Sequence, residues 1–202
     1  MRARKAFVIF LAAIVTGGLV VFGLGLLTDA SLAAVVVKKR VTTKAKATKS
    51  AEGGPHWRDI GAGLDEAKSS GKPIMVDVYT DWCGWCKRMD RDTYAKPDVK
   101  AYLERSFVPV RLNAESNTKV SYQGKSYTYR EFAGGFRINS YPTTMFLGSD
   151  GKHLASAPGY MGAADFLTVL RYFGDGHFKS QSWKEYQEDL EAAAADSSAA
   201  NP

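Results

Sequence analysis

Hydrophobic residues in the middle of the chain alternate between helical spacing and short continuous runs, which predicts an α/β domain. The first helical pattern consists of Trp57, Ile60, Leu64 and Ala67. Gly71 and Pro73 follow it and predict the end of that helix. Three continuous apolar runs predict buried strands, and they occupy residues 74–80, 107–112 and 143–147.

Further helical patterns lie between and after these strands. Residues 86–93 predict a helix that lasts until Pro97, and Asp98 is the predicted N-cap of a second short helix. Residues 149–152 predict a tight turn after the third strand. The last amphipathic helix has its apolar positions at Phe166, Val169, Leu170 and Phe173. This order predicts a mixed central sheet with helices on both faces.

Two segments extend this plan. Residues 120–136 are rich in Tyr, Gln and Gly and predict a hairpin that leads into a short helix. Either a surface insertion or a functional loop fits that segment, and the insertion is favoured. Ser182 and Glu185 form a capping-box pattern, so residues 179–202 are predicted to be a short C-terminal helix with a frayed tail.

Positive charge is concentrated at the N-terminal end of the chain. The formal net charge is +6, but residues 1–50 alone carry nine Lys or Arg and one acid, which gives +8. The rest of the chain carries 18 basic and 20 acidic residues and has a net charge of −2. Nucleic-acid binding needs a basic face on the folded domain, so no nucleic-acid partner is expected.

The N-terminal residues resemble a targeting segment. Three cations, Arg2, Arg4 and Lys5, precede an apolar run over residues 6–27, and small residues follow at Ser31 and Ala33. Residues 1–33 therefore predict a secretory signal cleaved after Ala33 or a retained membrane anchor, with membrane association through residues 6–27.

The linker that follows is basic. Residues 34–54 lack apolar periodicity and predict a flexible tether. Positive charge after a span favours the cytoplasm, but the three N-terminal cations lie closer to the run and favour export. A periplasmic or otherwise exported domain is therefore expected.

The chain has only two cysteines, Cys83 and Cys86, in the stretch DWCGWCK. A structural disulfide over so short a loop stabilises little. Zinc needs about four ligands, covalent haem needs His after Cys86, and neither requirement is met. We therefore expect no metal site and favour thiol–disulfide exchange, with Cys83 as the nucleophile at a helix start and Cys86 as the resolving thiol one turn later.

VDVYTDWCGWCK resembles the signature of the thioredoxin-like superfamily, and in particular of exported thiol:disulfide interchange proteins with a thioredoxin fold. The resemblance covers about residues 55–178. Asp77 stands at the position of the buried acid, and Tyr141-Pro142-Thr143 at that of the cis-proline. Gly159 matches the glycine of the loop before the last helix. The resemblance implies a thioredoxin fold over this range.

The resemblance also implies roles for individual residues. Asp77 should be buried with a raised pKa and should carry a proton to or from Cys86. A cis Tyr141–Pro142 bond should help to hold the substrate chain beside Cys83. The other residues implied in the site are Trp82 and Trp85 as an apolar rim, Gly159 in the substrate groove, and Lys87 and Arg111 as electrostatic support.

Two residues depart from the family pattern. The pair between the cysteines is Gly-Trp rather than Gly-Pro, so the reduction potential of the family does not transfer. Arg111 replaces a common lysine, and a guanidinium supplies charge but no proton.

The expected function is that of an exported protein-disulfide oxidoreductase, with reduction favoured over oxidation as its direction. It needs no organic cofactor beyond the Cys83–Cys86 disulfide, and its partners would be protein thiols or disulfides and a thiol protein that exchanges electrons with it. Two alternatives stay open: a redox-idle thioredoxin-fold binding or chaperone module, and a Cu(I) metallochaperone.

Overall fold

The computed structural model describes residues 53–199 of the chain. The predicted signal or anchor (1–33) and most of the predicted linker lie outside these residues. Within the described part of the chain, no helix has the length and apolar character needed to cross a membrane.

The described residues form six strands and six α-helices, with one π-helical and one 3₁₀ segment. The strands are β1 Ile74–Tyr79, β2 Val108–Asn113, β3 Lys119–Tyr122, β4 Lys125–Thr128, β5 Thr143–Leu147 and β6 His153–Pro158. The helices are α1 Ile60–Ser70, α2 Gly84–Met89, α3 Pro97–Ser106, α4 Tyr129–Gly135, α5 Ala163–Gly174 and α6 Trp183–Ala199. The π segment is Asp90–Tyr94, and the 3₁₀ turn is His177–Lys179.

The central sheet has the strand order β2-β1-β5-β6. β1 runs parallel to β2, whereas β5 is antiparallel to both of its neighbours, β1 and β6. The predicted mixed sheet is therefore confirmed, with β1 in a central position.

Alternation along β1 builds a core on each face of this sheet, because successive side chains of a strand point to opposite sides. Ile74, Val76 and Val78 belong to a core that also contains residues of α1 and α4. Met75 belongs to a second core with residues of α3, α5 and the π segment. Helices on both faces of the sheet are confirmed.

The first helix starts later than its apolar spacing indicates. Asp59 is the N-cap, and its carboxylate accepts from the backbone N–H of Ala62 at 2.9 Å. Trp57 was predicted to lie on this helix, but it precedes the cap and packs edge-on against Tyr94 at 5.0 Å. The helix ends as predicted at Gly71, whose φ of 74° suits glycine.

The segment after the cysteines differs from the single helix predicted there. The α-helix ends at Met89 and continues as the π segment up to Tyr94. The predicted N-cap at Asp98 is also wrong, because Lys96 is the cap and Pro97 occupies the first helical position. Proline is favoured there since its fixed φ suits the first turn and its missing N–H has no partner in the helix.

Residues 120–136 form the predicted hairpin and short helix. β3 and β4 pair antiparallel, and Thr128 and Glu131 form a capping box at the start of α4. Three of its side chains are buried in the same core as Ile74, Val76 and Val78 of β1, namely Val120, Tyr129 and Phe132. The segment is therefore packed into the domain rather than added to its surface.

The C-terminal helix begins as predicted but is longer than predicted. The backbone N–H of Ser182 donates to the Glu185 carboxylate at 2.7 Å, and the N–H of Glu185 donates to the Ser182 hydroxyl at 3.3 Å. The helix then runs to Ala199 instead of fraying early, as its alanine-rich sequence allows. Tyr186 is buried with its ring 5.3 Å from that of Tyr172, so α6 packs against α5.

Gly63→Ala should destabilise the domain by about 1–3 kcal/mol, because the added methyl group would overlap Cγ2 of Val110 where α1 crosses β2. The matched control is Gly134→Ala in α4, where an added Cβ meets no atom within 4 Å. That variant should keep the free energy of unfolding or raise it by up to about 1 kcal/mol. Urea unfolding followed by circular dichroism measures both, and equal stability of the two variants would contradict the close packing of α1 on β2.

Candidate active site

Cys83 and Cys86 form a disulfide at the start of α2, with an S–S distance of 2.03 Å. Cys83 is the N-cap of the helix, and its sulfur accepts from the backbone N–H of Cys86 at 3.0 Å. Free N–H groups and the helix dipole favour negative charge at this position. A thiolate formed at Cys83 would therefore be stabilised, whereas Cys86 lies inside the helix.

Exposure does not distinguish the two cysteines in this disulfide form. Cys83 and Cys86 are each only 3% exposed. Thiol–disulfide exchange needs an accessible attacking thiol, and neither cysteine is exposed while the disulfide is closed. What separates the two sulfurs is their position on α2.

The rim around the disulfide consists of two aromatic pairs. Trp82 is 68% exposed and packs edge-on against Tyr141, with ring centroids 6.0 Å apart. Trp85 is 55% exposed and lies 5.4 Å from Tyr160. Such exposure argues against a pure packing role for either tryptophan. Each pair joins the cysteine motif to a separate loop.

The Tyr141–Pro142 peptide bond is cis, as the resemblance implied. Gly159 lies beside it, and its backbone N–H donates to the carbonyl oxygen of Pro142 at 2.8 Å. The φ of Gly159 is +95°, which glycine adopts without strain. This bond holds the loop of residues 159–161 next to the proline turn. Tyr160 was missed by sequence reasoning, although it directly follows Gly159.

Asp77 is buried in β1, in register with Arg111 on the parallel neighbour β2. The Nε of Arg111 donates to the Asp77 carboxylate at 3.0 Å, and the Tyr94 hydroxyl donates to its other oxygen at 3.2 Å. Strand register thus places the Arg111 cation directly beside the buried acid.

Asp90 is a second acid in this cluster. The Nη2 of Arg111 donates to both oxygens of Asp90, at 2.6 and 2.7 Å. The guanidinium also lies 4.6 Å from the ring centroid of Tyr79 and 5.3 Å from that of Trp57. Sequence reasoning missed Asp90, although it stands four residues after Cys86, where helical spacing places a side chain on the same face.

Burial raises the pKa of Asp77 from its ordinary value of 3.8 to about 6, against the opposing attraction of Arg111. Asp90 adds to the rise by repulsion between the two carboxylates. Burial also raises the pKa of Tyr94 well above its ordinary value, so its hydroxyl stays protonated and remains a donor. The buried position and the raised pKa that the resemblance implied for Asp77 are therefore present, and its part in proton transfer stays a prediction.

The π segment, Asp90–Tyr94, directs its last side chains into the interior of the domain. The N–H of Ala95 donates to the carbonyl oxygen of Asp90 at 3.0 Å, which is the wider π spacing. Thr93 and Tyr94 are both buried, and the Thr93 hydroxyl donates to the carbonyl oxygen of Met161 at 2.6 Å. The helix that carries the cysteines is thereby tied to the loop that carries Tyr160.

The remaining predicted site residue is Lys87. Lys87 lies exposed on α2, and its side chain makes no ion pair or hydrogen bond with other residues in the 53–199 range. Over that range, no group of three or more His, Cys, Asp or Glu side chains is arranged to hold a metal ion.

Known proteins resemble this chain over about half of its length. The thiol:disulfide interchange protein DsbD of Yersinia pestis (strain Pestoides F) is 28% identical over 107 residues, which are 52% of this chain and 16% of that protein. The DsbD protein of Klebsiella pneumoniae is 32% identical over 114 residues, which are 54% of this chain and 18% of that protein. The chain therefore matches less than a fifth of the length of these relatives.

A solved thioredoxin-fold protein from Helicobacter pylori superposes with a TM-score of 0.49 at 24% sequence identity, covering 65% of this chain and 92% of that protein. Residues 60–174, more than half of the chain, match the family described as "Thioredoxin-like domain". The matched range includes the two cysteines, Asp77 and Pro142. The chain belongs to the thioredoxin-like domain family, and its Cys83–Cys86 disulfide lies within the matched range.

Proposed function

We propose that this protein is an exported thiol–disulfide oxidoreductase that reduces disulfides in other proteins. The observation that carries the proposal is the Cys83–Cys86 pair at the start of α2, in a domain where burial raises the pKa of the Asp77 carboxylate to about 6. A structural disulfide alone would need neither that acid nor the exposed aromatic rim.

The reaction starts from the reduced pair. The Cys83 thiolate attacks one sulfur of a client disulfide, the client S–S bond breaks, and the leaving client thiolate takes up a proton. Cys86 then gives its proton to Asp77 and attacks the sulfur of Cys83. The second client thiolate leaves, so the client gains two electrons and the pair returns to the disulfide.

Arg111 supplies a fixed positive charge next to Asp77 and does not itself exchange a proton. A guanidinium stays protonated, and here the two neighbouring carboxylates raise its pKa further even though burial opposes the charged form. The proton accepted from Cys86 therefore resides on Asp77 and not on its partner. Because the pKa of Asp77 is about 6, it is mostly ionised at pH 7 and available to accept that proton.

The client chain would lie between the proline turn and the aromatic rim. The turn at Tyr141 offers backbone groups for an extended segment, and Trp82 and Trp85 offer apolar contact on both sides of the disulfide. After each turnover the oxidised pair needs two electrons from a partner dithiol protein. No organic cofactor takes part in this cycle.

The Cys86→Ser variant should accumulate mixed disulfides with client proteins, because the resolving thiol is gone, whereas Cys83→Ser should accumulate none. Wild-type protein should also catalyse the reduction of insulin by dithiothreitol, and neither variant should turn over. Non-reducing electrophoresis and insulin turbidity measure these results. Trapping by Cys83→Ser would reverse the assignment, and wild-type protein without turnover would favour a redox-idle binding module.

Asp77→Asn should slow resolution of the mixed disulfide by about tenfold to a hundredfold, because the amide cannot accept the Cys86 proton. In the wild type this rate should fall as the pH drops through about 6, where Asp77 becomes protonated. In the variant that inflection should be absent. Stopped-flow tryptophan fluorescence from pH 5 to 8 measures the rate.

The matched control for this experiment is Asp81→Asn, which removes an exposed carboxylate close to the same motif. It should keep both the rate and the inflection near pH 6. A wild-type pH profile preserved in Asp77→Asn would remove Asp77 from the proton transfer.

Export is proposed from residues 1–33, whose cations precede the apolar run. A reporter active only in the cytoplasm, fused after residue 54, should therefore be inactive in a bacterial host. The control is the same fusion without residues 1–33, which should be active. Activity of the first fusion would place the domain in the cytoplasm, and the mass of the mature protein distinguishes cleavage after Ala33 from a retained anchor.

A further inference from the structure

Arg88 is a cation on the aromatic rim that the steps above leave unused. It lies in α2, three residues after Trp85, and its guanidinium carbon is 5.0 Å from the ring centroid of Trp85. The same carbon is 5.3 Å from the ring centroid of Tyr160. Contact with two rings that also contact each other fixes the position of a long side chain that would otherwise be free.

The outer end of this guanidinium is open. The Arg88 side chain is 51% exposed, and its only polar contact in the described chain is from Nε to the Asp92 carboxylate at 3.3 Å. Asp92 is shared with Arg91, whose Nε lies 3.2 Å from its other oxygen. The two terminal nitrogens of Arg88 therefore have no hydrogen-bond acceptor within residues 53–199. A planar guanidinium in this state can bind a carboxylate through two parallel hydrogen bonds.

The location connects this cation to the bound client. Trp85 is one of the two residues between the cysteines, and Tyr160 follows the glycine that is hydrogen-bonded to Pro142. A chain held beside Cys83 by the proline turn would therefore pass Arg88 on the Trp85 side. The other aromatic pair, Trp82 with Tyr141, has no cation over either ring in the part of the chain that is described. Of the two pairs, only Trp85 with Tyr160 therefore has a cation against its rings.

A purely structural role explains these contacts poorly. Arg88 and Asp92 are four residues apart, and their side chains are 51% and 35% exposed, so their ion pair contributes little to stability. That pair needs no aromatic contact. The placement of the guanidinium against one ring from the cysteine motif and one from the neighbouring loop is better matched to a ligand that arrives at the disulfide.

We propose that Arg88 recognises a carboxylate of the client protein, so that the preferred substrates are cysteines with Asp or Glu close to them in the chain. This inference rests on the proposed function, since it names the substrate class of the same site. The carboxylate would bind the two free nitrogens of Arg88 while the client sulfur lies at Cys83. Arg88 then determines specificity and takes no part in bond breaking.

The test uses the reduced Cys86→Ser protein and synthetic peptides with one cysteine, activated as a mixed disulfide with a chromophoric aryl thiol. Cys83 attacks the peptide sulfur, a new S–S bond forms, and the aryl thiolate that leaves is measured by absorbance. The peptides are identical except for Glu, Gln or Lys at one of the two positions on either side of the cysteine. Each rate is divided by that of the same peptide with N-acetylcysteine, which removes its intrinsic reactivity.

Glu peptides should react about threefold to tenfold faster than Gln peptides at one or more of these positions, and Lys peptides should be slowest. Arg88→Gln should bring the Glu-to-Gln ratio close to one. Arg88→Lys should restore only part of it, because an ammonium group lacks the planar fork. The ratio of the wild type should also decrease in 0.5 M salt.

Arg91→Gln is the matched control, since it removes an equally charged side chain from the same exposed surface without touching the rim. It should keep the ratio of the wild type. Equal rates for Glu and Gln peptides in the wild type, or an equal loss in Arg88→Gln and Arg91→Gln, would overturn the inference and leave the oxidoreductase in place. If no peptide of any sequence reacted with Cys83, the proposed function would fall, and this inference with it.

Discussion

A carboxylate in the central strand of a sheet can stay buried only if hydrogen bonds and a cation accompany it. Here the acid is Asp77, and the cation is Arg111 from the neighbouring strand. Since one guanidinium has more donors than one carboxylate accepts, Arg111 also binds Asp90 at the start of the π segment. The rings of Tyr79 and Trp57 cover the guanidinium. These contacts connect two strands, the cysteine helix and the segment before α1.

This network orients the reactive group as well as stabilising its surroundings. Asp90 lies on the continuation of α2, so its ion pair with Arg111 fixes that helix over the sheet. Thr93, from the same π segment, binds the loop after Gly159. The helix with the cysteines and the loop beside Pro142 are therefore held by adjacent residues of one irregular turn. In a regular α-helix, with hydrogen bonds from residue i to i+4 instead of i to i+5, the side chains after Asp90 would point in a different direction.

Sequence patterns that extend over only a few neighbouring residues were sufficient to predict most helices and strands. β5 was predicted at its observed bounds, because a fully buried strand appears as a continuous apolar run. The capping box at Ser182 was also read correctly, since both of its partners lie within four residues. The cysteine pair indicated its chemistry through spacing alone, and Asp77 and Pro142 required the resemblance to a family. Errors arose where two local signals competed, as with Pro97 and the neighbouring acid that was assigned as the cap.

The sequence by itself determined the order of strands and helices, the reactive cysteine pair and the separate charge of the N-terminal region. Only the tertiary structure decided which distant residues meet. The ring contacts of Arg111, the contact between Trp85 and Tyr160, and the ring contacts of Arg88 each join residues from separate elements. No periodicity encodes these contacts, because they depend on strand register and on the π turn after Met89. A side chain's partners are set by packing across the chain, whereas its secondary structure is set mainly by its neighbours in sequence.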